Sequence, residues 1–147
     1  MRQPFRVPIT IAIGLLAILL TGCARGSSIT PGTVEEPRTV QVAALDSNDF
    51  VPAHIAVRAG ETVRFVVTNE GALQHEFMIG SREQMRDHAV AVTHGGHGED
   101  YATEIHLNPG QTKELVYTFG SSTDIGYACF MRSHFPASMS GNFEILD

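Results

Sequence analysis

The sequence predicts an all-β fold, a sandwich or a barrel, because short segments of alternating apolar residues are separated by turn residues. In residues 62–68, Val63, Phe65 and Val67 occupy every second position. The same period of two recurs in 115–119 and in 142–145, and Gly- or Pro-containing turns lie between such segments. We therefore expect several short strands, each with one buried face.

One segment departs from this pattern and predicts a short helix in a connection between strands. Ser81 and Gln84 have the spacing of a capping box, and apolar residues follow at helical spacing. The residues that follow, 93–100, are rich in glycine and are predicted to form a surface loop.

Length and composition indicate one globular domain. The chain has 147 residues, of which 43% are hydrophobic and 18% charged, a balance typical of a single folded unit. The formal net charge is -6, and an acidic surface argues against nucleic acid as a partner. We expect a monomer.

The first residues predict export. Arg2 and Arg6 precede an apolar run, 7–20, that is shorter than a membrane-spanning helix requires. The run ends at Leu20-Thr21-Gly22-Cys23, which resembles the bacterial lipobox, where the chain is cut before a cysteine that then receives lipid. We therefore expect a signal peptide in 1–22, a lipidated Cys23 with a flexible tether in 23–38, and a folded domain in 39–147. The alternative is an ordinary signal peptide with a chance cysteine.

This processing decides the role of the second cysteine. Cys23 and Cys129 are the two cysteines of the chain, and they could form a disulfide in an oxidising compartment. If Cys23 carries lipid, Cys129 is left for burial, for a metal or for catalysis.

A metal is favoured because Cys129, His134 and Met139 follow one another at equal spacing. A thiolate, an imidazole and a thioether on one loop, together with a second imidazole, form the donor set of a copper site. His75 is the best candidate for that imidazole, since it opens a segment typical of a buried strand. The other histidines fit less well: His54, His88 and His106 are expected to be surface or partly buried residues, and His94 and His97 lie in the glycine-rich segment.

Two motifs resemble the cupredoxin family, which includes plastocyanin, azurin and auracyanin. They are the segment from Phe50 to Phe65 and the Cys-x₄-His-x₄-Met loop that begins at Cys129. The resemblance implies a Greek-key β-sandwich with one type 1 (blue) copper ion. In it Cys129 would be the thiolate ligand, His75 and His134 the equatorial imidazoles, and Met139 the axial ligand.

The same resemblance implies a function. The protein would carry single electrons and would dock redox partners weakly at the end formed by Phe130, Phe135 and Pro136. A departure from the family pattern is Arg132-Ser133, where many members have Pro-Gly. The sequence indicates no open coordination position for a substrate, so we expect a carrier and not an enzyme.

Several alternatives stay open at this point. The site could be a buried cysteine without metal, a zinc site, or a Cys-His protease centre, although methionine suits zinc poorly. His94 and His97 could bind a second metal ion or simply be solvated. The protein could instead hold and hand over copper as a copper-tolerance protein, or serve as a subunit of a larger enzyme.

Overall fold

A computed structural model describes residues 29–94, 101–131 and 139–147, and in them the chain forms nine strands and one helix. Their bounds are as follows: β1 Arg38–Leu45, β2 Asp49–Val51, β3 His54–Arg58, β4 Thr62–Asn69, β5 His75–Gly80, α1 Arg82–Thr93, β6 Glu104–Leu107, β7 Thr112–Thr118, β8 Gly126–Ala128 and β9 Ser140–Leu146.

The strands form two mixed sheets. One has the order β2-β1-β4-β7 and the other the order β3-β9-β8-β5-β6. The pairs β1–β4 and β3–β9 are parallel, and the remaining neighbours are antiparallel. Each parallel pair joins strands that are distant in sequence, so the fold is built mainly from non-local contacts.

The inner faces of the two sheets meet in an aromatic core. Phe65 on β4 is fully buried, and its ring centroid lies 5.6 Å from that of Phe77 on β5 and 5.7 Å from that of Phe143 on β9. Val63 and Val67, which flank Phe65 on the same face, are also fully buried. The predicted all-β sandwich with period-two strands is therefore confirmed.

The predicted helix is also confirmed. The Ser81 side chain accepts a hydrogen bond from the Gln84 amide, and the Gln84 side chain accepts one from the Ser81 amide, so the capping box is complete. The helix continues through Thr93, which the sequence had placed in the following loop. No helix among the described residues has the length and apolar character needed to cross a membrane.

The segment before β1 is hydrogen-bonded to the first sheet at Gly32. The Gly32 carbonyl accepts a hydrogen bond from the Thr62 amide at 3.0 Å, and the Gly32 amide donates to the Glu61 carboxylate at 3.4 Å. A Cβ atom at this position would lie 2.1 Å from the Arg38 nitrogen and 2.3 Å from the Thr62 oxygen. Only glycine allows this close approach.

Candidate metal centre

Three of the four predicted ligands lie at one end of the second sheet. β8 is antiparallel to both β5 and β9, so the start of β5, the end of β8 and the start of β9 are adjacent. His75 opens β5, Cys129 follows β8 and Met139 precedes β9. The Cys129 amide donates to the Met139 carbonyl at 2.9 Å. This bond joins the two ends of the loop that contains His134.

The sulfur of Cys129 is buried and held by backbone amides. The residue is 3% exposed, and its Sγ accepts a hydrogen bond from the Glu76 amide at 3.3 Å and another from the Met131 amide. Burial raises the pKa of the Cys129 thiol, and the two amides act against that rise. The same amides would stabilise the thiolate once a metal ion had displaced its proton.

His75 is fully buried, and a carboxylate orients its ring. Its Nε2 lies 3.1 Å from Oδ1 of Asp46, which directly follows β1. The Asp46 carboxylate also accepts hydrogen bonds from the amides of Ala72 at 2.7 Å and Leu73 at 3.2 Å. These amides, the Ala72 amide first, and His75 together hold the pKa of Asp46 below its ordinary value. A carboxylate on Nε2 leaves Nδ1 as the ring atom that can face a metal ion.

The loop that leads into His75 is held by a buried asparagine. The Asn69 side chain donates to the carbonyls of Leu73 at 2.7 Å and Leu107 at 3.0 Å, and it accepts from the Gly71 amide at 2.9 Å. A Cβ atom on Gly71 would lie 2.0 Å from the Asp46 carboxylate, so glycine is required for Asp46 to reach this position. Sequence reasoning missed Asn69 and Asp46. Asn69 could have been noticed, because it is a polar residue at the end of a strand whose buried face is otherwise apolar.

The other predicted residues have different positions. Cys23, His97, His134, Phe135 and Pro136 lie outside the described residues. His54 and His106 are exposed, His94 ends α1 at the surface, and Phe130 is half-buried. The interpretation of His88 as a surface or partly buried residue was wrong. His88 is 2% exposed because it lies on the side of α1 that packs against β5.

The donor types suit copper. A buried thiolate, an imidazole and a thioether are soft or borderline donors, and they favour copper over calcium or magnesium. Their role as ligands stays a prediction, and His134 lies outside the described residues.

Solved structures share this fold. Auracyanin from Roseiflexus castenholzii is 17% identical with a TM-score of 0.64, and the match covers 74% of this chain and 97% of that one. Auracyanin A from Chloroflexus aurantiacus is 22% identical with a TM-score of 0.63, and the match covers 75% of this chain and 99% of that one. Two facing mixed sheets with this strand order therefore define a protein of the cupredoxin fold.

Curated proteins of similar sequence identify the family to which the chain belongs. The protein named copper-resistant cuproprotein CopI from Rubrivivax gelatinosus is 37% identical, and the match covers 74% of this chain and 66% of that protein. The protein of the same name from Pseudomonas aeruginosa is 30% identical, and the match covers 74% of this chain and 76% of that protein. The chain belongs to this CopI family, and it spans just under two thirds of the Rubrivivax relative. No family model matches the sequence.

Proposed function

We propose that the protein is an exported copper protein that carries single electrons through one type 1 copper ion. Its ligands would be His75, Cys129, His134 and Met139. The observation that carries the proposal is the Cys129 sulfur, which is buried, receives two amide hydrogen bonds and is tied through its own amide to Met139. This is the environment expected of a metal thiolate in a rigid site.

Each residue has a distinct role in this proposal. The bound copper ion would supply the change between Cu(II) and Cu(I). The Cys129 thiolate donates electron density to the site, and the Glu76 and Met131 amides disperse its negative charge. Asp46 fixes the ring of His75. Because these groups are held by strands of a packed core, the site changes little between redox states, and such a protein acts as a carrier and not as an enzyme.

We propose further that redox partners dock at the end of the domain that contains Phe130, Phe135 and Pro136. Phe130 is half-buried and adjoins Cys129, which supports a short path from the surface to the metal. The charged and apolar segments of residues 1–22 support export, and Cys23 would carry the lipid that anchors the protein to a membrane.

A second function is favoured by the relatives. Proteins 30–37% identical to this chain are named copper-resistant cuproproteins, which supports a copper-tolerance protein that holds copper and hands it over. The same four ligands would serve either role, so the two functions differ in the fate of the metal and not in the site.

Metal retention through redox cycles separates these functions. The full chain would be loaded with Cu(II), then reduced and reoxidised repeatedly in the presence of a chromophoric Cu(I) chelator. An electron carrier keeps its copper and recovers its visible absorption after each cycle. Transfer of the copper to the chelator after the first reduction would support the copper-tolerance function instead, and a colourless Cu(II) protein would contradict a type 1 site.

Replacement of Asp46 by alanine should weaken copper binding. The change removes the carboxylate that orients His75, and loss of such a partner of a metal-ligating histidine lowers metal affinity about 10- to 100-fold. Competition with a chelator of known affinity measures the effect. Asp49→Ala is the matched control, because Asp49 is an exposed carboxylate hydrogen-bonded only to Ser47 among the described residues. Equal affinities for the two variants would show that Asp46 has no influence on the site.

A further inference from the structure

A second cluster of metal-binding side chains lies beside the centre described above. It consists of Glu76 on β5, His88 on α1 and Glu104 on β6, and one ligand atom from each residue lies within 4.8 Å of the others. Nε2 of His88 is 3.0 Å from Oε1 of Glu76, and its Nδ1 is 3.9 Å from Oε2 of Glu104. The three side chains are 2%, 2% and 7% exposed, in the order His88, Glu76, Glu104.

These buried polar atoms do not satisfy one another. Within the described part of the chain, Glu76 Oε1, both His88 ring nitrogens and Glu104 Oε2 have no partner with hydrogen-bond geometry, although they are close together. Buried polar atoms are normally hydrogen-bonded, and buried charges are normally paired or coordinate a metal ion. The Glu76 and Glu104 carboxylates are both buried around His88, and a cation between them would offset the repulsion between their charges.

The remaining atoms of the cluster are already held in place. Glu76 Oε2 accepts the Phe130 amide at 3.3 Å, and Glu104 Oε1 lies 2.6 Å from Nε2 of His106. The rings of Phe130 and Tyr101 pack edge-on against His88, with centroids 5.2 Å and 5.6 Å away. Burial lowers the pKa of His88, which favours the neutral imidazole that binds metals. Such outer contacts are what orient the ligands of a metal site.

We propose that Glu76, His88 and Glu104 form a second metal site, which binds a divalent first-row ion such as Zn²⁺ or Cu²⁺. Two carboxylates and one imidazole are hard and borderline donors, so they select against Cu(I), which prefers sulfur ligands. The site is distinct from the Cys129 centre, since it uses none of the same side chains. The two are nevertheless neighbours, because the Glu76 amide donates to the Cys129 sulfur.

The number of zinc ions bound per chain tests this site, and the test does not require copper at Cys129. The parent is the full chain carrying Cys129→Ala, which removes the thiolate as a competing zinc ligand. After equilibrium dialysis against Zn²⁺, we expect one bound equivalent that is lost on the further change Glu104→Gln. The matched control is the pair His94→Gln and His97→Gln, which removes the second metal site that the sequence had suggested and should retain that equivalent.

Three results would overturn the proposal. They are a parent that binds no zinc, a Glu104→Gln variant that still binds it, and loss of zinc only in the His94 and His97 variant. Circular dichroism reports whether Glu104→Gln is folded; if it is not, Glu76→Gln replaces it, since an amide oxygen can still accept the Phe130 amide. Crystals grown with Zn²⁺ provide a test without mutation, in which the anomalous peak should lie about 2.0–2.2 Å from the three ligand atoms.

Discussion

Replacement of Cys129 by alanine is expected to abolish the intense visible absorption of the copper-loaded protein. In the proposed type 1 site that absorption would arise from charge transfer between the thiolate and Cu(II), and Cys129 is the only cysteine among the described residues. Alanine also removes the acceptor of the Glu76 and Met131 amides, which leaves these two donors facing a small void. We therefore expect complete loss of the band with a moderate loss of stability, measured by absorption spectra and by denaturant unfolding.

The control for this experiment is His94→Ala. His94 caps the end of α1, and its ring Nδ1 lies 2.8 Å from the Val90 carbonyl at the surface. This variant should keep the full visible spectrum. A band that persisted in Cys129→Ala, or that disappeared in His94→Ala, would show that the copper ion is bound elsewhere.

Replacement of Glu61 by alanine should produce the largest loss of stability, up to about 3–5 kcal/mol, because it breaks an ion pair whose carboxylate is fully buried. Glu61 is 1% exposed and pairs with the Arg38 guanidinium, and its carboxylate also accepts the Arg58 amide at 2.8 Å. Denaturant unfolding near neutral pH measures the change. Glu114→Ala is the matched control: its ion pair with Arg64 is exposed, and removal should cost about 0–1 kcal/mol.

The contribution of Glu61 to the free energy of unfolding should also depend on pH. Burial alone would raise the pKa of this carboxyl, but Arg38 and the Arg58 amide outweigh burial and hold it below the ordinary value of 4.5. A lowered pKa in the folded state means that the stabilisation is complete above about pH 4.5 and declines as the pH falls through the folded-state pKa. The difference in stability between wild type and Glu61→Ala should therefore shrink in acid. A constant difference would show that the charge of Glu61 is unimportant.

Local sequence patterns predicted the elements of the fold but not their pairing. The period of two around Phe65 and the capping box at Ser81 are signals carried by a few neighbouring residues, and both were confirmed. The parallel pairings β1–β4 and β3–β9 are set by contacts across the whole chain. No local pattern specifies them, so only the resemblance to cupredoxins indicated the Greek-key arrangement.

The same distinction explains what was missed at the site. Cys129 and Met139 could be selected because equal spacing of suitable donors is visible in the sequence. The contact between Asp46 and His75 joins residues 29 positions apart, and nothing near Asp46 indicates it. His88 was misjudged because a helix in a connection is expected to turn its polar residues to solvent, whereas here α1 packs against β5 and buries one of them.

The attachment of Gly32 to the first sheet limits how far the domain could stand from a membrane. With lipid on Cys23, as proposed, only residues 24–31 would remain as a linker, and a fully extended chain of that length spans roughly 30 Å. The domain would then move within a thin layer above the bilayer. An acceptor of electrons or of copper would have to be bound to the same membrane or diffuse to its surface. Lengthening residues 24–31 would let the domain reach partners farther from the membrane without altering the metal centre.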